Sequence, residues 1–260
     1  MKNFLKSWLG GAAPAAEQPK PRVEPGRRVY CIGDIHGRLD LLQQLHGMIV
    51  EDGVGWKGDR TLVYLGDYID RGMHSREVIE ELLDAPLSGF ESVYLLGNHE
   101  QTLLDFLQYP KAASGWLAWG GRETLASYGI HMPPHVRPDP EQLRDEFQSQ
   151  LPERHVEFYR AMQMMHVSGN YLFVHAGIRP GKPLQEQSSE DLLWIRDDFT
   201  ESRQQHEHIV VHGHTISEEV VFHPNRIGID TGAYATGILT CLVLEGEERR
   251  LLHTGGSSHA

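Results

Sequence analysis

"SVYLLGNHE", Ser92–Glu100, runs a β-rich apolar stretch into a glycine, then sets an amide, an imidazole and a carboxylate in a row. The same pattern stands upstream. "VYCIGDIHGR" places Asp34 and His36 after an apolar run, and "TLVYLGDYIDRG" places Asp67, Asp70 and Arg71 after another. Each run is followed by apolar residues at helical spacing, in "RLDLLQQLHGMIVE", "SREVIEELLDA" and "EQTLLDFLQ". Strands alternating with helices predict βαβ units and a largely parallel sheet.

Downstream the pattern changes. A mainly helical stretch from Ala112 to about Met165, broken by "HMPPHVRPDP", gives way to "YLFVHA", "HIVVHG", "RIGID", "ILTCLVLE" and "RRLLHT". Strands that follow one another without helices read as a mixed or antiparallel sheet. Two sheets packed face to face, with helices outside, satisfy both halves. The expected fold is an α/β, double β-sheet sandwich flanked by helices, with a helical insert. Its second half adds His175 in "LFVHAG" and His212 and His214 in "VVHGHT". Ligands of α/β sheets gather outside the carboxyl ends of strands, so these groups should converge on one rim.

The chain has 260 residues, 40% hydrophobic and 23% charged, the balance of a soluble globular protein. A net charge of -12 argues against a nucleic-acid backbone as partner. It excludes no local anionic ligand, because bound divalent cations reverse the field at their site. Cys31 and Cys241 both lie in apolar runs and read as buried reduced thiols rather than a disulfide. No stretch is long and apolar enough to span a bilayer. The N-terminus imitates a signal peptide poorly, because Lys6 and Ser7 interrupt its apolar residues. A cytoplasmic location is the expectation. Gly10 to Gly26 is rich in Ala, Pro, Gly and charge, the composition of a linker. The expected division is a flexible tail over 1–26, a catalytic domain over 27–255 and a short tail over 256–260. Phe4, Leu5, Trp8 and Leu9 share a helical face that suits docking to a membrane surface or partner; a frayed tail is the plainer reading.

The strand-end groups choose a chemistry. Asp, Asn and His offer oxygen and imidazole donors without a thiolate, which suits Mn, Fe, Ni or Zn better than Ca and excludes a structural zinc site. So many donors suit two ions about 3.5–4 Å apart, the arrangement that clamps attacking and leaving oxygens in phosphoester hydrolysis. Arg71 adds a planar fork able to grip phosphate oxygens. Taken singly, each group has a plainer role. Asp34 reads as a helix N-cap, "GDR" at Gly58–Arg60 as a turn, and His99 as a polar strand end. In a strand, His212 and His214 would point the same way. His214, after Gly213, is the preferred ligand and His212 the alternative. His46, His131, His135, His155, His166, His206, His208 and His223 read as structural or surface. The aromatics of "WLAWGGRETLASYG", Trp116–Gly129, read as core, with Arg122 and Tyr128 as candidates for substrate contact.

"GDIHG", "GDYIDRG", "GNHE", "VHAG" and "HGHT", in that order, resemble the metallophosphoesterase superfamily, and "GDYIDRG" with "GNHE" its phosphoprotein phosphatase branch. "LLWIRDDF" and "IGIDTGAYATGILTCLVLEG" are similar to late segments of the bacterial and phage type. The resemblance spans roughly Arg27 to Gly246. It implies two metal ions, with manganese foremost and Fe, Zn or Ni as alternatives. Asp34, His36 and Asp67 would bind the first ion, and Asp67 would bridge to a second completed by Asn98, His175 and His214. A hydroxide between the ions would attack phosphorus in line. Arg71 and Arg196 would grip the phosphate with Asn98 and His99 nearby; His99 would protonate the leaving group and Asp70 would orient His99. Glu100 receives no catalytic role. The eukaryotic "SAPNY" motif is absent, "IDTGAYATG" standing in its place, so no regulatory-subunit groove is carried over.

The activity these residues imply is a metal-dependent serine/threonine protein phosphatase acting on phosphorylated proteins. The alternative is a dinucleoside polyphosphate or RNA-cap pyrophosphohydrolase of the same superfamily. Such enzymes often carry "GNHD" and lack an aspartate at the Asp70 position, so Asp70 and Glu100 favour the phosphatase. A scaffold that has lost its metals is disfavoured by the intact ligand set.

Overall fold

The computed structural model describes residues 20–133 and 137–255. Within them, three parallel strands open the chain: β1 (Arg27–Ile32), β2 (Asp59–Tyr64) and β3 (Glu91–Tyr94). Each leads into a helix, α1 (Leu39–Asp52), α2 (Ser75–Asp84) and α3 (Asn98–Gln108). The helical insert follows as α4 (Ala113–Trp116), α5 (Arg122–Ser127), α6 (Pro140–Gln150) and α7 (Glu153–Ala161). A second sheet holds β4 (Met165–Ser168), β5 (Tyr171–Val174), β6 (Ile209–His212), β7 (Val221–Phe222) and β8 (Arg226–Gly228), in the order β4-β5-β6-β8-β7. Its central strands β5, β6 and β8 are parallel, and the edges β4 and β7 are antiparallel. Short helices α8 (Ser189–Trp194), α9 (Asp197–Thr200) and α10 (Ala233–Thr236) punctuate this half.

The last strands, β9 (Thr240–Glu245) and β10 (Glu248–His253), do not stay with the second sheet. They return to the first, where β9 pairs antiparallel with β1. β9 is apolar on both faces, so it fits an interior position between helices and the opposite sheet. β4 and β7 had no signal in the sequence; both are short edge strands whose side chains, Ser168 aside, are exposed or half-buried, and such strands carry little periodicity.

Alternation along the strands divides the core into layers. Val29, Cys31, Val63 and Leu65 face Phe173, Val211 and Ile227 between the sheets. Tyr30, Ile32, Leu62 and Tyr64 face the other way, onto α1, α2 and the insert. Leu172, Val174 and Val210 lie under α8 and α9 with Leu192, Ile195 and Phe199. Cys31 and Cys241 are buried free thiols, as expected, on opposite faces of the first sheet.

The folded part begins before the expected boundary at Arg27. Val23 is 1% exposed in the inter-sheet core, its N–H bonds Gly246 O, and the Glu24 carboxylate accepts from Ser168 Oγ and Gly169 N. Burying such a valine is worth about 1.5 kcal/mol or more, enough to hold the segment down. The expected N-terminal amphipathic face and the tail at 256–260 lie outside the described residues, as does His135. No described helix is long and apolar enough to cross a membrane.

Candidate dinuclear metal centre

Among the described residues, six parallel strands deliver a polar side chain to one rim. Asp34, Asp67 and Asn98 follow β1, β2 and β3; His175, His214 and Asp230 follow β5, β6 and β8. The turns that aim them are strained. Among the described residues, the non-glycine positions with positive φ are His36, Asp67, Asp70, Arg71 and His214, with φ from 47° to 71°. Such conformations cost about 1–3 kcal/mol each and persist only where the surroundings hold them.

Glu100 holds the turn at Asp67. Its buried carboxylate accepts from Asp67 N (2.9 Å), Tyr68 N (2.8 Å), Ile69 N (3.2 Å) and Gly97 N (3.1 Å). Burial, then the Asp67 carboxylate, pushes the Glu100 pKa up to about 8, while the N–H donors pull it down and favour the anion. Two glycines leave the space. A Cβ at Gly97 would collide with Asp67 Oδ1 and Glu100 Oε2, and one at Gly213 with Asp34 Oδ1.

Asp67 belongs to two donor clusters. One joins it to His36 and His99, the other to His175 and His214. Its Oδ2 lies 3.5 Å from His36 Nε2, and its Oδ1 lies 3.4 Å from His175 Nε2. The back nitrogens are tied to carbonyls: His36 Nδ1 to Ile69 O and His175 Nδ1 to Leu65 O, both at 2.9 Å. Those bonds turn each Nε2 inward as the donor atom. Asn98 Oδ1 lies 2.8 Å from His175 Nε2 and 2.9 Å from His214 Nδ1, so three lone-pair donors point at one spot. Asp34 Oδ2 accepts from His214 N at 3.0 Å, and its Oδ1 is buried without a hydrogen-bond partner.

These residues fit a pair of cations. Three carboxylates, Asp34, Asp67 and Asp230, are buried together. Burial, then Asp230 and Asp67, raises the Asp34 pKa; burial pushes Asp230 up to about 6. Burial also opposes ionisation of Asp67, but the surrounding imidazoles outweigh it and hold its pKa below the usual range. His36 is driven to about 3 and His214 to about 2, chiefly by burial. Neutral imidazoles facing a carboxylate and an orphaned oxygen are in the protonation state that metal binding requires.

His99, a member of the first cluster, also pairs with a further buried carboxylate. His99 Nδ1 lies 2.6 Å from Asp70 Oδ2. Asp70 also accepts from Trp116 Nε1 (3.0 and 3.1 Å) and Thr124 Oγ1 (2.5 Å), both from the insert. Burial works to lower the His99 pKa, but Asp67 and Asp70 outweigh it and raise it. Arg71 Nη2 lies 3.3 Å from His99 Nε2, and its guanidinium stacks over Tyr234 at 4.6 Å. Arg196 is exposed at the start of α9, near enough to His175 and His214 to lower both pKa values.

The expected site residues Asp34, His36, Asp67, Asp70, Arg71, Asn98, His99, His175 and His214 therefore stand together, with Arg196 at the edge. His212 does not join them. β6 ends at His212, and the chain turns through Gly213 and His214, so the two imidazoles diverge. Tyr128 is no substrate contact: its hydroxyl is buried 2.8 Å from His155 Nδ1. Arg122 lines a separate groove with Ala113, Leu117 and Arg137. Trp116 is core, but Trp119 is exposed and packs on Trp194 at 5.3 Å. His46 bonds Tyr64 OH inside the core, His166 packs on Phe173 and His206 on Phe199; His131 and His223 are exposed and His208 is half-buried. Sequence reasoning passed over Asp230, Trp116, Thr124 and Tyr234. Only Asp230 carried a signal, a carboxylate directly after the strand run "RIGI".

The calcineurin-like phosphoesterase family matches residues 27–236. The chain belongs to that family. Members of this phosphoesterase family use a dinuclear metal centre, the arrangement that the paired clusters offer here. The phosphoesterase is 27% identical over 234 residues to the bis(5'-nucleosyl)-tetraphosphatase PrpE [asymmetrical] of Bacillus thuringiensis (strain Al Hakam), covering 81% of this chain and 88% of that one. The Bacillus mycoides (strain KBAB4) counterpart is 26% identical with the same coverage. Among solved structures, one described provisionally as a diadenosine tetraphosphatase superposes with TM-score 0.60 at 21% identity, covering 90% of this chain and 98% of that one. A Saccharomyces cerevisiae protein serine/threonine phosphatase gives 0.54 at 15% identity, covering 93% and 86%. Likenesses at that identity establish the double-sandwich fold.

Proposed function

We propose that this phosphoesterase is a metal-dependent serine/threonine protein phosphatase. The observation that carries the reading is the His99–Asp70 pair, fixed by Trp116 and Thr124 at the edge of the donor clusters. Serine and threonine alkoxides are poor leaving groups, and a held, protonated imidazole is the group that assists them. A nucleotide phosphate leaves more readily and needs such an acid less.

Asp34, His36 and Asp67 would hold one ion, and Asp67, Asn98, His175 and His214 the other, with manganese the foremost metal. The ion pair, when bound, supplies an activated water and neutralises phosphate charge. The protein does the rest. Arg71 and Arg196 meet charge on the phosphate oxygens. Tyr234 presents its ring to the Arg71 guanidinium at 4.6 Å, a cation–π contact that helps to place it. His99 Nε2, the ring nitrogen away from Asp70, would deliver its proton to the departing oxygen, while Asp70 on Nδ1 orients the ring and favours its protonated form. A phosphorylated protein in the cytoplasm is the proposed partner.

The Bacillus relatives favour a second reading, hydrolysis of dinucleoside polyphosphates with the same residue roles at the phosphate. Turnover of a phosphoserine/phosphothreonine peptide and of diadenosine tetraphosphate, side by side with added Mn²⁺, separates the two. Fast peptide and slow dinucleotide turnover supports the protein phosphatase; the reverse order overturns it.

A further inference from the structure

Behind the site lies a buried arginine with a task of its own. Arg226 is 7% exposed, and among the described residues no carboxylate comes within ion-pair distance of it. Burying a guanidinium without a counter-charge is costly. Its three nitrogens are turned to one carbonyl and one imidazole. Nε and Nη2 donate to Thr200 O at 3.2 and 2.9 Å, and Nη1 faces His212 Nε2 at 3.2 Å. A guanidinium only donates, so His212 Nε2 accepts and the ring proton sits on Nδ1, which donates to Gly213 O at 3.1 Å.

Both ends of this relay touch the site. Thr200 closes α9, the helix that Arg196 begins. Asn225 reinforces the hold, donating Nδ2 to Ser202 O and Gln204 O at 2.9 Å each. Phe199, on α9, packs edge-on against His212 at 5.1 Å. At the other end, Gly213 N donates to His175 O at 2.8 Å and His214 N to Asp34 Oδ2 at 3.0 Å. Gly228 leaves room for the imidazole, since a Cβ there would stand 3.1 Å from its ring.

We propose that Arg226 and His212 are positioning residues that lock the α9 segment, bearing Arg196, to the Gly213 turn, bearing His214. Arg196 is exposed, so its place depends on the backbone beneath it. The relay fixes the distance between the guanidinium that meets phosphate and the donors that hold metal. A misplacement of about 1 Å in such a group costs about 100-fold in rate. The inference rests on the reading of Arg196 as a phosphate ligand.

The test uses the full-length, Mn²⁺-loaded protein with inorganic phosphate as probe, its affinity read by calorimetry. The variants are Arg226→Met, Arg226→Lys, His212→Gln, Arg196→Ala and the Arg196→Ala/Arg226→Met double. Arg226→Met should weaken phosphate binding about 10-fold and raise KM for p-nitrophenyl phosphate, with Arg226→Lys intermediate, because misplacement removes part of what deletion of Arg196 removes. In the Arg196→Ala background the same change should cost less than about 2-fold, the non-additivity of residues acting as one unit. Wild-type phosphate affinity in Arg226→Met, or an undiminished effect in the Arg196→Ala background, overturns the proposal. Should Arg226→Met fail to fold, Arg226→Lys and His212→Gln carry the same comparison. Failure of the Arg196 reading shows separately, as unchanged phosphate affinity in Arg196→Ala alone.

Discussion

His99 Nδ1 stands 2.6 Å from Asp70 Oδ2, although His99 lies in the first turn of α3 and Asp70 in the turn after β2. The pair exists because Glu100, the residue after His99, accepts from the backbone of Asp67, Tyr68 and Ile69. One side chain ties the start of α3 to the turn that carries the imidazole's partner. His99→Asn should keep both metals and lose about 100- to 10,000-fold in turnover of an alkyl phosphate. The loss should be smaller with an aryl phosphate, whose leaving group needs less protonation. Equal losses on the two substrates would argue against an acid role.

Asp70→Asn tests the electrostatics of the same pair. The Asp70 carboxylate helps to raise the His99 pKa. The acid form of His99 is lost as pH rises through that pKa. Removing the carboxylate charge lowers it, so the alkaline limb of kcat/KM for an alkyl phosphate should move to lower pH. A limb that stays in place would assign it to another group.

Asp67→Asn should weaken both metal sites together, because Asp67 faces His36 through one oxygen and His175 through the other. Metal content after dialysis, measured by plasma emission, reads this directly. Loss of one ion with full retention of the other would refute a bridging carboxylate.

Glu100→Gln puts an amide NH₂ where backbone N–H groups now find a carboxylate oxygen. At least one buried donor loses its acceptor, a loss of about 1–3 kcal/mol. The urea midpoint should fall, and metal affinity should fall with it, because the left-handed turn at Asp67 loses its support. An unchanged midpoint would mean that other contacts hold the turn.

His46 bonds Tyr64 OH in the core, and burial pushes its pKa down to about 4. The unfolded chain binds a proton near pH 6.5 that the folded chain refuses until pH 4, so stability falls as pH falls through that window. Between pH 7.5 and 5 this residue should cost on the order of 2 kcal/mol. His46→Gln, which can still reach the tyrosine hydroxyl, should remove that share of the slope in urea titrations.

Much of the site was legible because its signals are local. A strand end, a glycine and a metal-type donor within a few residues mark Asp34, Asp67, Asn98, His175 and His214 independently of partners. Period and turn chemistry likewise predicted β1 to β3 with their helices. Residues acting across the chain were not legible. Trp116 and Thr124 read as ordinary helix residues, yet both bond Asp70. His212 and His214 carry the same signal, and only the turn at Gly213 separates them.

By itself, then, the sequence determined the chemistry of the rim, since donor type and strand-end position are properties of short segments. Tertiary structure alone decided that β9 and β10 return to the first sheet, that Asp230 closes on Asp34, and that Arg226 reaches Thr200 beneath Arg196. Those outcomes depend on which apolar faces bury one another and which buried polar groups find partners. That is settled between segments far apart in the chain, and no local pattern records it.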